Sequence, residues 1–239
     1  MKSKVLAIVP AAGRGRRMGE GKKKPFIALA GKPLVYYALK ALEDSGTVDA
    51  VMIASDRSSV KRFERLVKRF KFKKVTGIVV GGKTRYESVR NCVAKADKSF
   101  DIILIHDGAR PLVEKYLIED SVRLARRFGA AIAALAESDT VKLSGKGLFI
   151  KKTLNRDEVL RAQTPQAFRR SIIDRAYALK HAAKGITDDA GLVERLGKRV
   201  KILKGSPRNF KITNKEDLKL AEVLYESRHR IRHTQAGRG

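Results

Sequence analysis

An apolar run from Val5 to Val9 stops at Pro10 and gives way to A-A-G-R-G-R-R-M-G-E-G-K-K-K-P-F, where six cations face one acid, Glu20. Small residues after a strand let successive backbone N–H groups point at an anion, which is how many phosphate sites are built. Ala11, Ala12, Gly13 and Gly15 are the residues suited to that approach, and Arg16, Arg17 and Lys24 are the cations suited to neutralising charge on phosphorus. Two familiar phosphate loops fail here. Gly13 and Gly15 match the first two glycines of G-x-G-x-x-G, but Met18 stands at the third, and the acidic residue expected about twenty positions later is missing. No G-K-S/T follows at the spacing of a P-loop. On the loop alone, a glycine turn with solvated cations accounts for the residues equally well.

A second constellation is I-I-L-I-H-D-G-A-R-P at 102–111, with Asp107 just past an apolar run. Ligands of open α/β sheets bind outside such strand ends. One carboxylate there, followed by Gly108, suits Mg2+ shared with nucleotide phosphates, because magnesium takes one or two carboxylates and leaves its other positions to phosphate and water. The alternative is an aspartate that opens a turn before Pro111. His106 reads as a locally hydrogen-bonded residue. The other histidines (His181, His229, His233) and the single cysteine, Cys92, form no triad-like set.

These loops need a scaffold. Apolar or β-branched runs at Val5–Val9, Ala50–Ala54, Val75–Val80, Ile102–Ile105 and Ala130–Ala134 read as strands. Between them, Leu34, Ala38, Ala41 and Leu42 recur at helical spacing, and Thr84 with Glu87 forms a capping box ahead of Val89 and Val93. Glu114–Phe128 reads as a further helix closed by Gly129, and cations such as Arg62, Arg65, Lys68 and Arg69 mark the solvent side of another. Short apolar runs alternating with helices indicate a mostly parallel sheet covered on both faces. After Ala136 the rhythm changes. D-T-V-K-L-S-G-K-G-L-F-I-K-K-T-L reads as a hairpin about Ser144–Gly147, and its apolar positions (Val141, Leu143, Leu148, Ile150) call for a second subunit to cover them. Helices at Arg169–Ala183 and Asp189–Leu196 follow, then runs at Val200–Leu203 and Phe210–Ile212. A last helix is expected to be capped by Thr213 and Glu216, with Leu218, Ala221, Leu224 and Tyr225 buried. One domain over 1–227, including a β-arm at about 138–156, with a frayed basic tail at 228–239, is the economical organisation.

Composition sets the outer limits. The 239 residues carry a net charge of +28, 43% hydrophobic and 6% aromatic residues, and no tryptophan. No apolar run is long enough to cross a bilayer, and one cysteine excludes an intrachain disulfide, so a cytoplasmic location is expected. The charge invites a nucleic-acid reading. The cations are spread along the whole chain, however, with no helix-turn-helix, zinc-finger or RNP-like pattern, so specific nucleic-acid binding is not expected. Polyanionic ligands in general, nucleotides among them, are favoured.

Taken in order, P-A-A-G-R-G-R-R-M-G with Lys24, G-G-K-T-R-Y-E-S-V, H-D-G-A-R-P, T-P-Q-A-F, I-T-D-D and F-K-I-T-N-K-E-D-L-K-L-A-E resemble the 2-C-methyl-D-erythritol 4-phosphate cytidylyltransferase family from about Val5 to Tyr225. The resemblance implies transfer of CMP from CTP to 2-C-methyl-D-erythritol 4-phosphate with release of pyrophosphate, in the non-mevalonate isoprenoid route. It also implies a Rossmann-like nucleotidyltransferase fold, a mostly parallel twisted sheet with helices on both faces, and a projecting β-hairpin arm that interlocks a homodimer. By the same resemblance Arg17, Lys24 and Lys211 stabilise the pentacoordinate phosphorus. Lys24 is chosen over Lys22 and Lys23 because it directly precedes P-F-I-A-L. Ala11, Ala12 and Gly13 match the triphosphate loop, while Gly82, Ser88 and the backbone of Lys83 match the cytosine-reading stretch. Asp107 and Gly108 match the ribose and Mg2+ region, with Arg110 beside them. Thr140 and Arg156 match arm residues that bind the acceptor of the neighbouring subunit, and Thr164 and Thr187 match further ligand-contacting threonines. Two positions depart from the family pattern: Lys83 stands where an acid is frequent, and Gly108 where alanine is common. A ribitol-5-phosphate cytidylyltransferase shares this fold and CTP site and is the nearest alternative; a basic nucleic-acid-binding protein is the alternative outside enzymes.

Overall fold

The computed structural model describes residues 3–13, 23–179 and 185–236, with the backbone alone for 228–236. Strand β1 (Val5–Pro10) is followed by the short pair β2 (Ala28–Leu29) and β3 (Lys32–Pro33), then helix α1 (Leu34–Asp44). The alternation continues through β4 (Ala50–Ser55), α2 (Val60–Phe70), β5 (Val75–Val80), α3 (Arg85–Lys95) and β6 (Ile102–Ile105). Helix α4 (Lys115–Phe128) leads to β7 (Ala130–Ala136), the hairpin β8 (Lys142–Ser144) and β9 (Ile150–Thr153), and the long β10 (Leu160–Arg169). Helices α5 (Arg170–Ala178) and α6 (Ala190–Arg195), strand β11 (Lys201–Lys204) and helix α7 (Lys215–Ala236) follow.

Seven strands form one sheet in the order β11-β7-β10-β6-β1-β4-β5. Every neighbouring pair is parallel except those of β10, which runs antiparallel to both β6 and β7. Because successive strand residues point to opposite faces, Val5, Ala7 and Val9 enter one core with Leu39, Phe63 and Leu117, whereas Leu6 and Ile8 enter the other with Val89, Phe168 and Ile173. A third cluster packs α7 through Ala221 against Leu34 and Tyr37 of α1 and against Ile212. The sheet therefore has no solvent-facing side at its centre, which is why the β1 and β6 sequences are apolar without alternation.

Strand β10 is absent from the sequence reading, which treats T-P-Q-A-F only as a motif. A proline within a run argues against a central strand, since it removes a ladder donor. The ladder accommodates Pro165 through a register shift against β7 between Ala162 and Gln166. Three further expectations are corrected. Phe210–Ile212 is loop rather than strand. The cap of α7 is Asn214 with Asp217, one residue later than Thr213 with Glu216: Asn214 Oδ1 accepts from Asp217 N at 2.7 Å, and Asp217 Oδ2 accepts from Asn214 N at 3.1 Å. Helix α7 runs on to Ala236 instead of fraying at Arg228. Of the helix expected over Arg169–Ala183, α5 covers Arg170–Ala178, and 180–184 lie outside the described residues.

The hairpin is an excursion between two paired strands. Leu160 of β10 lies opposite Ala136 of β7, and Glu137 N donates to Val159 O at 3.2 Å, closing its base. Strands β8 and β9 pair only with each other. At its tip Leu148 is 90% exposed and Phe149 79%, and Ile150 beside them is also exposed.

Candidate active site

The C-terminal ends of β1, β4, β5 and β6 open into one cavity of about 690 Å3, within the usual size range of small-molecule sites. It lies where the chain leaves the sheet centre in two directions, β1 pairing β4 on one side and β6 on the other. Ala11 N donates to Ala54 O and Gly81 N to Ser55 O, both at 2.8 Å, so the loops after β1 and β5 are fastened to β4. Ten residues singled out in the sequence line this one cleft: Ala11, Ala12, Gly13, Lys24, Gly82, Lys83, Ser88, Asp107, Gly108 and Lys211. Gly15 and Arg17 lie outside the described residues. A Cβ built on Gly13 would meet no atom of the described residues within 4 Å.

Which lysine faces the cleft is decided by contacts remote in sequence. Lys23 Nζ donates to Asp56 Oδ1 at 2.6 Å and to Ser59 Oγ at 2.9 Å, and also meets Ser58. Burial raises the Asp56 carboxyl, but Lys23 and the two serine hydroxyls outweigh it and hold the group down to about 2. Lys24 then starts a single 3-10 turn, Lys24–Phe26, with Pro25 buried at its second position. Phe26 packs on Phe63 with ring centres 4.7 Å apart, and the Arg62 guanidinium lies 4.0 Å from the centre of the Phe26 ring. Lys24 is thereby fixed from both sides and lines the cleft.

Asp107, only 6% exposed, sits under three cations. Arg85 Nε is 3.1 Å from Oδ1, Lys211 Nζ is 2.9 Å from Oδ2, and Arg110 Nε is 3.7 Å from Oδ2. Burial pushes the carboxyl up, yet Arg85, Lys211 and Arg110 together hold it well below the ordinary carboxylate range. Behind it, Asp107 N donates to Thr164 Oγ1 at 3.0 Å, and the same hydroxyl pairs with His106 Nδ1 at 3.1 Å. His106 is fully buried, and burial pushes its imidazole down to about 4. It is a structural link, as its setting in the sequence suggests.

The loop that carries Lys211 is anchored by buried amides. Gln163 Nε2 donates to Ser206 O at 2.9 Å, Asn209 Nδ2 donates to Thr164 O at 2.7 Å, and Ile212 N donates to Ala109 O at 2.9 Å. Gly205 has no room for a side chain, since its Cβ would stand 2.6 Å from Gln163 Oε1 and 2.9 Å from Ala134 O. On the opposite wall, Gly82 N donates to Ser88 Oγ at 3.2 Å and Lys83 N to Glu87 Oε2, and the expected Thr84–Glu87 capping box is present. A Cβ on Gly82 would lie 2.3 Å from that of Glu87. The glycine is required by the fold of this loop.

Five predicted residues stand elsewhere, Thr164 among them, buried behind Asp107 rather than lining the cleft. Thr140 and Arg156 belong to the exposed arm and do not reach the cleft of their own chain; Arg156 Nη1 donates to Ser138 O. Thr187 lines a separate cavity of about 150 Å3 with Arg85, Tyr86 and Asp189. Arg110 is buried behind Asp107 with Nη1 on Asn209 O at 2.7 Å. The sequence reading missed Arg85, Asp56 and Asp189. Arg85 stands inside the quoted G-G-K-T-R-Y-E-S-V stretch, but its partners lie 22 and 104 residues away, so no local pattern marks it. Among the described residues no group of three or more His, Cys, Asp or Glu is placed to hold a metal, and no helix is long and apolar enough to cross a membrane.

A profile of the family 2-C-methyl-D-erythritol 4-phosphate cytidylyltransferase matches residues 5–227. The chain is 44% identical to a protein of that name from Geobacillus kaustophilus over 223 residues, which is 93% of this chain and 97% of the relative. It is 43% identical to one from Pelotomaculum thermopropionicum over 227 residues, covering 94% and 95%. Among solved structures, a 4-diphosphocytidyl-2C-methyl-D-erythritol synthase from Anaerococcus prevotii superposes with a TM-score of 0.83 at 27% identity, covering 95% of this chain and 100% of that one. A 2-C-methyl-D-erythritol 4-phosphate cytidylyltransferase from Thermus thermophilus gives 0.74 at 30% identity, covering 94% and 98%.

Proposed function

The chain belongs to the 2-C-methyl-D-erythritol 4-phosphate cytidylyltransferase family, and we propose how its cleft performs the transfer. The enzyme is a nucleotidyltransferase that passes CMP from CTP to 2-C-methyl-D-erythritol 4-phosphate in isoprenoid biosynthesis. In our reading the triphosphate lies along the Ala11–Gly13 backbone and the cytosine against Gly82, Lys83 and Ser88. The ribose lies beside Asp107 and Gly108. An oxygen of the acceptor phosphate attacks the α-phosphorus in line, the α–β bridging bond breaks, and pyrophosphate leaves with the electron pair. A phosphate monoester is already largely dianionic near neutral pH, so the attack needs no general base. Arg17, Lys24 and Lys211 take up the charge that builds on the equatorial oxygens, and holding the reactants in line does the rest.

The observation that carries this reading is the convergence of Lys24, Lys211 and Asp107, far apart in the chain, on one cleft. Mg2+ is read as entering with the nucleotide rather than as a resident ion. Among the described residues two carboxylates line the cleft: Asp56 is taken by Lys23, and Asp107, the one assigned to the ion, has Oδ1 and Oδ2 facing Arg85 and Lys211. That donor set fits an ion held chiefly by triphosphate oxygens and water. The exposed arm tip, together with Thr140 and Arg156 lying outside their own chain's cleft, supports a homodimer in which each arm completes the acceptor site of the other subunit. Residues 1–227 act as a single domain, and a cytoplasmic location accords with CTP as substrate. The test is pyrophosphate release from CTP·Mg2+ with each polyol phosphate. Turnover with methylerythritol phosphate and little with ribitol 5-phosphate is expected; the reverse would overturn the acceptor assignment.

A further inference from the structure

The three cations around Asp107 are not equivalent. Arg110 is pinned, with Nη1 bonded to Asn209 O at 2.7 Å and its side chain 10% exposed. Arg85 spans two buried carboxylates, its Nε on Asp107 Oδ1 at 3.1 Å and its Nη2 on Asp189 Oδ2 at 2.8 Å. Asp189 is itself fixed: its Oδ1 accepts from the Tyr177 hydroxyl, and its backbone N–H donates to Gln166 Oε1 at 3.1 Å. Lys211 is different. Its side chain is 39% exposed on the cleft wall, and Asp107 is its one carboxylate among the described residues. A lysine is a point charge on a flexible stem, whereas an arginine fork bridging two acids is held in plane at both ends.

We propose that Arg85 is a positioning residue for the transfer reaction: by keeping Asp107 compensated from Asp189, it frees Lys211 to leave that carboxylate for the phosphoryl group. The physical reason is the cost of stranding a buried charge. Removing the partner of a buried carboxylate is strongly unfavourable. With Arg85 and Arg110 in place, Asp107 keeps two cations when Lys211 moves. Without Arg85 it keeps only Arg110 at 3.7 Å, and Lys211 is retained on Oδ2 as the necessary counter-ion. Arg85 therefore acts through Lys211. The inference rests on Lys211 being the cation that meets the phosphorus.

The experiment is a double-mutant cycle on the whole enzyme with CTP·Mg2+ and methylerythritol phosphate, measuring kcat, both KM values and the thermal midpoint. Arg85→Gln should lower kcat on the order of tenfold to a hundredfold with KM for CTP changed only a few-fold. In a Lys211→Ala background the same change should cost no more than about threefold, because the group through which it acts is already gone. Should Arg85→Gln fail to fold with Asp189 left unpaired, Arg85→Gln combined with Asp189→Asn replaces the bridge by two amides and is taken through the same cycle. An equal fold-loss in both backgrounds would overturn the coupling while leaving Lys211 in its role. A loss confined to KM for CTP would overturn it too, making Arg85 a direct nucleotide contact. Near-normal turnover of Lys211→Ala alone would overturn the reading beneath, and this inference with it.

Discussion

Replacing Lys211 by alanine should separate catalysis from folding. On the folding side little should be lost. The ammonium leaves Asp107, but Arg85 at 3.1 Å and Arg110 at 3.7 Å remain, so the buried carboxylate is not stranded. The lysine side chain is itself 39% exposed, which limits the lost pair to about 1 kcal/mol or less. For a chain of this size that is a shift of about 2–4 °C in the thermal midpoint at most. On the catalytic side, removing one preorganised group that meets developing charge typically costs about 10²–10³ in kcat, or about 2.7–4 kcal/mol. The assay is coupled pyrophosphate release at saturating CTP·Mg2+ and acceptor, run beside a melting curve on the same preparation. A kcat within about threefold of the parent would remove Lys211 from the chemistry. A midpoint lowered by ten degrees or more would instead mean that the Asp107 cluster holds the fold together, and the charge argument would fail.

Gly13→Ala should melt with the parent, because its Cβ meets no atom of the described residues, yet bind CTP at least tenfold more weakly in calorimetry; unchanged affinity would move the triphosphate off this loop. His106 gives a pH signature. Burial holds its folded value near 4 against about 6.5 unfolded, so its stability contribution is complete above about 6.5 and is lost as pH falls toward 4. The slope of melting midpoint against pH across that window should flatten in His106→Gln; an unchanged slope would assign the acid sensitivity elsewhere. Leu148→Asp with Phe149→Asp at the arm tip should convert a dimer into a folded monomer in sedimentation, with turnover falling in parallel. A monomeric parent, or a variant that dimerises normally, would refute the role given to the arm.

Much of the scaffold is legible because burial on both faces writes itself as unbroken apolar runs: β5 and β6 have the ends that the sequence suggests. β10 is not legible for the opposite reason. Its middle residues are polar because Gln163 and Thr164 tie the Lys211 and Asp107 loops together while Gln166 holds the start of α6, and a proline sits among them. At α7 two overlapping caps, Thr213–Glu216 and Asn214–Asp217, are equally good on paper, and only the observed geometry separates them. The choice of Lys24 over Lys23 rests in the sequence on its place just before P-F-I-A-L; the physical cause is Asp56, 33 residues from Lys23, which takes Lys23 for itself. Arg85 is invisible as a site residue because a first-turn arginine on a capped helix is ordinary, and its two acids come from elsewhere, Asp107 just past β6 and Asp189 at the N-cap of α6.

Strand β10 also joins two parts of the molecule usually considered apart. Its first residue, Leu160, closes the root of the arm; four residues on, Thr164 holds the backbone of Asp107. At about 3.3 Å per residue, roughly 13 Å of chain separates the two, paired to β7 as far as Ala162. The strand is paired to β7 up to Ala162 and shifts register between Ala162 and Gln166, so a displacement at the arm root reaches the floor of the cleft at the point where the ladder is irregular. The arm and the cleft share one strand, and its irregular step lies where the two meet.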